Sequence, residues 1–166
     1  MTEAGDEYGV VGLGRMGGNL ARQALEKGIR VVGFTRHSAP EDMLEAGLTE
    51  IRSYEDLKAE LSPPRAVFLY IPAGPPVDEV LADLAAVLDP GDVLVDGGNS
   101  YWGDSIRRHS RLKQQDIHFV DLGTSGGVEG ARHGACFMAG GEREAMARVE
   151  PILLELGREL LAAGLE

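Results

Sequence analysis

Tyr8-Gly9-Val10-Val11-Gly12-Leu13-Gly14-Arg15-Met16-Gly17 reads as a short apolar strand, a tight glycine turn and the start of a helix. Each spaced glycine has a physical task in such a turn. The first permits the sharp reversal, the second lets the backbone approach a pyrophosphate, and the third lets helix pack closely on strand. The helix start leaves amide N–H groups unpaired and sets the positive end of the helix dipole beside them, which suits phosphate charge. Glycine is frequent in this chain, 23 of 166 residues, so the spacing alone is weak. The strand before it and the helix after it make it specific. The stretch therefore predicts a dinucleotide cradle made by Gly12, Leu13, Gly14, Arg15, Met16 and Gly17.

Downstream, Leu20, Ala21, Ala24 and Leu25 put an apolar face on the first helix, and Gly28 closes it. Ile29-Arg30-Val31-Val32-Gly33-Phe34-Thr35 reads as a second, parallel strand. The residues at the end of that strand bear on coenzyme choice. A carboxylate there bonds the ribose 2′-hydroxyl of NAD, whereas an arginine accommodates the 2′-phosphate of NADP. This chain has Thr35-Arg36-His37 and no acid until Glu41, which favours NADP with NAD as the alternative. Arg36 can donate charge-assisted bonds to phosphate and stack on adenine, and a solvated loop arginine is the competing reading.

The alternation continues. Residues 41–46 form a short predicted helix ended by Gly47, and 54–61 another, stopped by Ser62-Pro63-Pro64. Arg65-Ala66-Val67-Phe68-Leu69-Tyr70-Ile71 is a continuous apolar run, the mark of a strand covered on both faces. It leads into Pro72-Ala73-Gly74-Pro75-Pro76, a rigid loop at the carboxyl edge of the sheet, where ligands sit in such folds. Val77, Val80, Leu81, Leu84, Val87 and Leu88 recur at helical spacing. Asp92-Val93-Leu94-Val95-Asp96 is the next strand, followed by Gly97-Gly98-Asn99-Ser100 and a helix with Trp102, Ile106, His109 and Leu112 along one face. Ser105, Arg107, Arg108 and Arg111 fall mostly on its other faces. Ile117-His118-Phe119-Val120-Asp121-Leu122 is a further strand leading into Gly123-Thr124-Ser125-Gly126-Gly127, and Ala135-Cys136-Phe137-Met138-Ala139 an additional one. The last helical region starts near Glu142, carries a buried stripe of Val149, Ile152, Leu153 and Leu156, and is expected to break or restart at Pro151. The reading is an α/β, Rossmann-like doubly wound fold, a mainly parallel sheet with helices on both faces. It divides the chain into a poorly ordered start at 1–7, a dinucleotide-binding domain at 8–157 and a tail at 158–166.

Composition narrows the function classes. A length of 166 residues suggests one domain, and no apolar run approaches the roughly 20 residues that span a bilayer. The start is acidic and polar rather than a signal peptide, and Cys136 is the single cysteine, so a reducing cytoplasm is the expected home. A net charge of -11 argues against nucleic acid or an anionic membrane as partner. Surface carboxylates are largely screened beyond about 8 Å, so local amides and arginines can still receive an anionic coenzyme. His37, His109, His118 and His133 have no metal-ligand spacing, and Cys136 reads as inert core. No metal is expected.

Asp96-Gly97-Gly98-Asn99-Ser100 and Ser125-Gly126-Gly127-Val128-Glu129-Gly130-Ala131-Arg132, taken with the first glycine turn, resemble the coenzyme-binding domain of the decarboxylating 6-phosphogluconate dehydrogenases. The likeness runs over about 8–157. Related β-hydroxyacid dehydrogenases share the Ser-Gly-Gly loop but generally carry Ser-Thr where this chain has Asn99-Ser100. The resemblance implies that Asn99 lies between nicotinamide and sugar acid, and that Ser125, Gly126 and Gly127 contact 6-phosphogluconate. It implies that Ala73 and Gly74, in the Ile71-Pro72-Ala73-Gly74 segment, border the nicotinamide ribose, and that Arg36, flanked by Thr35 and His37, holds the 2′-phosphate of NADP. Thr35 stands where NADP-dependent members often have Asn, and its hydroxyl can still donate to phosphate. Pro72 replaces a lysine of the longer members and resembles the shorter bacterial branch.

Residue chemistry alone leaves two plainer alternatives, Asn99-Ser100 as a helix N-cap and Ser125-Gly126-Gly127 as a turn. The family's chemistry is oxidation of 6-phosphogluconate and loss of CO2 to give ribulose 5-phosphate and NADPH. Its lysine base and glutamate acid lie in a helical domain that follows the coenzyme domain and supports a homo-oligomer. Here Lys27, Lys58 and Lys113 sit on or near helices remote from the strand ends. The expectation is therefore a coenzyme domain inactive alone. A stand-alone NAD(P)-binding module and the coenzyme domain of another β-hydroxyacid dehydrogenase are the alternatives.

Overall fold

The computed structural model describes residues 5–158. The opening apolar run forms β1 (Glu7–Val11), the glycine turn delivers the chain into α1 (Arg15–Glu26), and β2 (Arg30–Phe34) returns parallel to β1, with Val11 opposite Phe34. The chain continues through α2 (Glu41–Glu45), β3 (Thr49–Ile51), α3 (Tyr54–Glu60), β4 (Ala66–Leu69), α4 (Pro75–Val87) and β5 (Val93–Asp96). It closes with α5 (Trp102–Lys113), β6 (His118–Ser125), α6 (Gly127–His133), β7 (Cys136–Gly141) and α7 (Arg143–Leu156). The strands make one sheet of order β3-β2-β1-β4-β5-β6-β7, parallel except for β7, which runs antiparallel to β6. This is the doubly wound, Rossmann-like α/β architecture.

Because side chains alternate across a strand, each central strand feeds two cores. Tyr8, Val10, Ala66, Phe68, Val93, Val95, Val120 and Leu122 face α1, α6 and α7, where Leu20, Ala24, Ala131, Val149 and Ile152 cover them. Val11, Val67, Leu69, Leu94 and Phe119 face the other way, toward Leu57, Val77, Leu81, Leu84 and Leu112 of α3, α4 and α5. No helix of the described residues is long and apolar enough to cross a membrane.

Several local expectations are corrected. Glu7 belongs to β1, not to a poorly ordered start: it is buried, pairs with Arg30 and accepts the Ser62 amide at 2.7 Å. Residues 1–4 and 159–166 lie outside the described residues. β3 was not legible, since three residues with one buried apolar side chain, Ile51, carry no period. Nor was α6, whose glycines have poor helix propensity. The burial of Ala131 and the pairing of Arg132 with Glu26 of α1 hold that helix in place. Pro151 neither breaks nor restarts α7, which is continuous around it. Burial of Val149, Ile152, Leu153 and Leu156, at roughly 1.5–3 kcal/mol each, outweighs the ~3 kcal/mol cost of an interior proline. Cys136 is exposed on the edge strand rather than packed in the core. On α5 the buried face is Ser105, Arg108 and Leu112, while Trp102 and Ile106 are 65% and 60% exposed.

Candidate functional site

From β1 the chain winds outward to β3, then returns to add β4 on the other side of β1. The carboxyl ends of β1 and β4 therefore part at the point where winding reverses, and a crevice opens there. It has a volume of about 330 Å³. Val11, Gly12, Leu13 and Gly14 line it from β1, and Phe34, Thr35, Arg36 and His37 from β2. Tyr70, Ile71 and Pro72 close it from β4, with Pro76 and Val80 of α4.

The three glycines divide their work as the turn requires. Gly12 has φ 99°, a left-handed conformation that disfavours any side chain, and a Cβ there would overlap the Tyr70 carbonyl oxygen. A Cβ on Gly17 would overlap the Gly12 carbonyl oxygen, so that glycine lets α1 close on β1. Gly14 is different: a Cβ there would meet nothing within 4 Å. The space beside it is open. Gly14 is also the N-cap of α1, with no side-chain cap and no acidic residue in the first turn. The Gly18 amide makes the first helical bond, to the Gly14 carbonyl at 2.8 Å, which leaves the preceding amides of Arg15, Met16 and Gly17 for a ligand. Arg15, Met16 and Gly17 thus belong to the site through backbone rather than as crevice walls, and the Met16 side chain packs against the core.

Arg36 is exposed on the crevice rim. Arg22, Arg30, Arg52, Arg65, Arg107, Arg108 and Arg132 pair with carboxylates; Arg36, like Arg15, Arg111 and Arg143, pairs with none among the described residues, and of these four it alone has a side chain on the crevice wall. Its charge is available to an anion. Ala73 and Gly74 continue beyond Pro72 to the start of α4, where the Gly74 carbonyl turns away to accept Arg108 Nη2 at 3.0 Å.

Asn99 is not part of this crevice wall. It holds φ 54°, a conformation asparagine tolerates better than most residues, and its amide clamps β6. Asn99 Oδ1 accepts the Thr124 amide at 3.0 Å, and Asn99 Nδ2 donates to the Thr124 carbonyl at 3.2 Å. One Nδ2 hydrogen remains for a ligand. The N-cap alternative is not what the structure adopts: α5 begins at Trp102 with Tyr101 as N-cap, and Ser100 Oγ donates to Asp96 at 2.5 Å. Ser125 ends β6, one residue beyond Thr124, and Gly126 and Gly127 turn into α6 with φ 113° and 61°. All three are exposed. Ser125 and Gly126 border a second cleft of about 470 Å³, formed with β7 and α7. Asn99 and Ser125–Gly127 therefore meet through Thr124, along the edge from the first crevice.

Tyr70 and Arg108 bond the loops around the site, which the residue pattern did not disclose. Tyr70 donates to or accepts from Thr124 Oγ1 at 3.1 Å, and burial pushes its phenol up to about 12, so it stays neutral. Its position at the end of the β4 run, between two glycine-rich loops, was the available signal. Arg108 had none, because a helix arginine in a charged stretch normally faces water. Among the described residues no group of three or more His, Cys, Asp or Glu is placed to hold a metal ion.

Comparison with known proteins points in the same direction. A family model described as the NAD binding domain of 6-phosphogluconate dehydrogenase matches residues 7–164. The chain is 40% identical over 158 residues to a decarboxylating 6-phosphogluconate dehydrogenase of Saccharomyces cerevisiae, covering 92% of this chain and 32% of that protein. It is 37% identical over 160 residues to a Bacillus subtilis decarboxylating 6-phosphogluconate dehydrogenase described as NAD(+)-dependent, covering 93% of this chain and 34% of that one. Among solved structures, Plasmodium falciparum 6-phosphogluconate dehydrogenase, studied with NADP+ and with 6-phosphogluconate, superposes with a TM-score of 0.86 at 34% identity. That match covers 93% of this chain and 34% of that one. The chain spans between 31% and 52% of the length of the curated relatives it matches.

Proposed function

Because the chain belongs to the family of NAD-binding domains of 6-phosphogluconate dehydrogenase, we propose that its crevice binds NADP and serves the oxidative decarboxylation of 6-phosphogluconate to ribulose 5-phosphate in the pentose phosphate pathway. The observation that carries the coenzyme reading is the open space at Gly14 beside an uncapped helix start, with an unpaired arginine on the same rim. Backbone amides of Arg15, Met16 and Gly17 would receive the pyrophosphate, and Arg36, with Thr35 and His37, the 2′-phosphate. Ile71, Pro72, Ala73 and Gly74 would border the nicotinamide ribose. When bound, the coenzyme supplies a hydride acceptor.

Asn99 would present its remaining N–H between coenzyme and sugar acid, held in aim by Thr124. The exposed Ser125, Gly126 and Gly127 would offer a hydroxyl and two amides to the sugar acid's oxygens. The three lysines are committed elsewhere, Lys27 to the Glu155 carbonyl, Lys58 to Asp89 and Lys113 to Glu142. This chain's residues accordingly bind and orient. Proton transfer belongs to groups other than these.

Arg36 separates the two coenzymes. Calorimetric titration is expected to give tighter binding of NADP than of NAD. Arg36→Ala is expected to weaken NADP by about 1.5–3 kcal/mol, the value of a charge-assisted bond, while leaving NAD nearly unchanged. Equal affinities for the two coenzymes in the wild type would remove the phosphate role and point to NAD, as in the Bacillus relative.

A further inference from the structure

Among the described residues Arg108 is the largest fully buried side chain, at 2% exposure, yet it lies on a helix that leaves Trp102 and Ile106 exposed. A buried guanidinium is costly unless its donors are met, and here they are met by groups from two different loops. Nε and Nη2 donate to the Asp78 carboxylate at 3.1 and 3.2 Å, and Nη2 also donates to the Gly74 carbonyl at 3.0 Å. Both acceptors stand at the start of α4, where the loop after β4 ends. On the other side, Nη1 donates to Asp96 Oδ2 at 3.2 Å, at the carboxyl end of β5. Asp96 is fully buried, and it organises the next loop by accepting the Gly98 amide at 3.0 Å and the Ser100 hydroxyl at 2.5 Å. Asn99, between them, is the residue that clamps Thr124.

We propose that Arg108 is a positioning residue that fixes the 72–74 loop against the 97–100 loop, and so sets the nicotinamide half of the site while leaving the adenine half independent. The inference rests on the coenzyme reading for its ligand consequence, and its mechanical part stands without it. The planar fork matters: one guanidinium reaches Asp78, Gly74 and Asp96 at once, which an ammonium on a flexible stem cannot. The first half of the crevice, Gly12, Gly14 and Arg36, has no bond to this network. Loosening Arg108 therefore acts on one end of the ligand only.

The test uses two readouts on this chain as it stands. The first is amide hydrogen exchange without ligand. In Arg108→Lys, the Gly98 and Thr124 amides are expected to exchange about tenfold faster or more, while the Gly12 amide, bonded to the Phe34 carbonyl at 2.9 Å, keeps its rate. Asp78→Asn, at the partly exposed end of the network, is the second variant and is expected to shift the same two amides less. The second readout is calorimetry with two probes, NADP and adenosine 2′,5′-bisphosphate, which presents the adenine half alone. Arg108→Lys is expected to weaken NADP about tenfold and the bisphosphate less than about twofold. Unchanged exchange at Gly98 and Thr124 in both variants, or equal loss of the two probes, would overturn the proposal. Should the wild type bind neither probe while Gly98 and Thr124 still respond, the coenzyme reading fails and the tether stands.

Discussion

The turn after β1 and the loop after β5 leave the same edge of one sheet, on either side of β4, and they are built in opposite ways. The first works by what is missing. Gly12 turns, Gly17 lets the helix close, Gly14 leaves space, and no side chain caps the helix. The second works by what is present: Asp96 accepts from both Ser100 and Arg108, and Asn99 reaches across to Thr124. The difference comes from what each has to hold. Phosphate charge asks only for unpaired N–H groups and room. Orienting a polyol against a nicotinamide ring asks for donors and acceptors held to within a few tenths of an ångström, and those need a rigid support.

Four measurements can break or sharpen that contrast. The largest effect is expected where the side-chain-built loop loses its hub. Asp96→Ala leaves Arg108 Nη1, the Gly98 amide and the Ser100 hydroxyl without their buried acceptor and is expected to cost about 3–5 kcal/mol in denaturant unfolding. Loss below about 1 kcal/mol would mean the network is not what holds this loop. Next comes Gly12→Ala, forced into a left-handed backbone against the Tyr70 carbonyl, with an expected loss of about 2–3 kcal/mol in the same assay. Its neighbour should behave differently. Gly14→Ala has ordinary φ and open space, so its stability is expected to stay within about 0.5 kcal/mol of wild type. NADP affinity, measured calorimetrically, should nonetheless fall about tenfold or more as the methyl occupies the pyrophosphate space. A stable Gly14→Ala that bound NADP as tightly as wild type would break the reading of the turn.

The smallest effect concerns acid. Hydrogen bonds from Arg108, supported by Arg107, hold the Asp78 carboxyl down to about 2, below its ordinary 3.8. A depressed folded-state value means the contribution is present above roughly pH 4 and is lost as the pH falls toward 2. Urea midpoints taken at pH 5 and at pH 2.5 are expected to drop further for wild type than for Asp78→Asn. Equal drops would assign the acid sensitivity to other groups. Glu142 is one such group, held down to about 2 first by Lys113 and then by His118.

What could be read in advance divides along the same line. Most of the strands and helices, β3 and α6 excepted, the ligand edge at the carboxyl ends of the strands and the roles of three glycines come from period, spacing and the absence of side chains, which are properties of neighbouring residues. The misreadings share one cause. Apolar spacing on α5 pointed Trp102 and Ile106 inward, but Asp78, Asp96 and the Gly74 carbonyl lie where only Arg108 can satisfy them. Pro151 sits inside a helix because a buried stripe holds it there, and Cys136 is exposed because β7 is an edge.

The amino-acid sequence by itself disclosed the alternation that builds the doubly wound sheet and the bared amides of its first turn, since the strands, helices and turn are each signalled by patterns a few residues long. The tertiary structure alone decided which face of α5 is buried, that Asn99 grips Thr124, and that one arginine joins two loops. Each of those hydrogen bonds links partners 12 to 34 residues apart, and a charged side chain goes inside only where the fold has already gathered its counterparts.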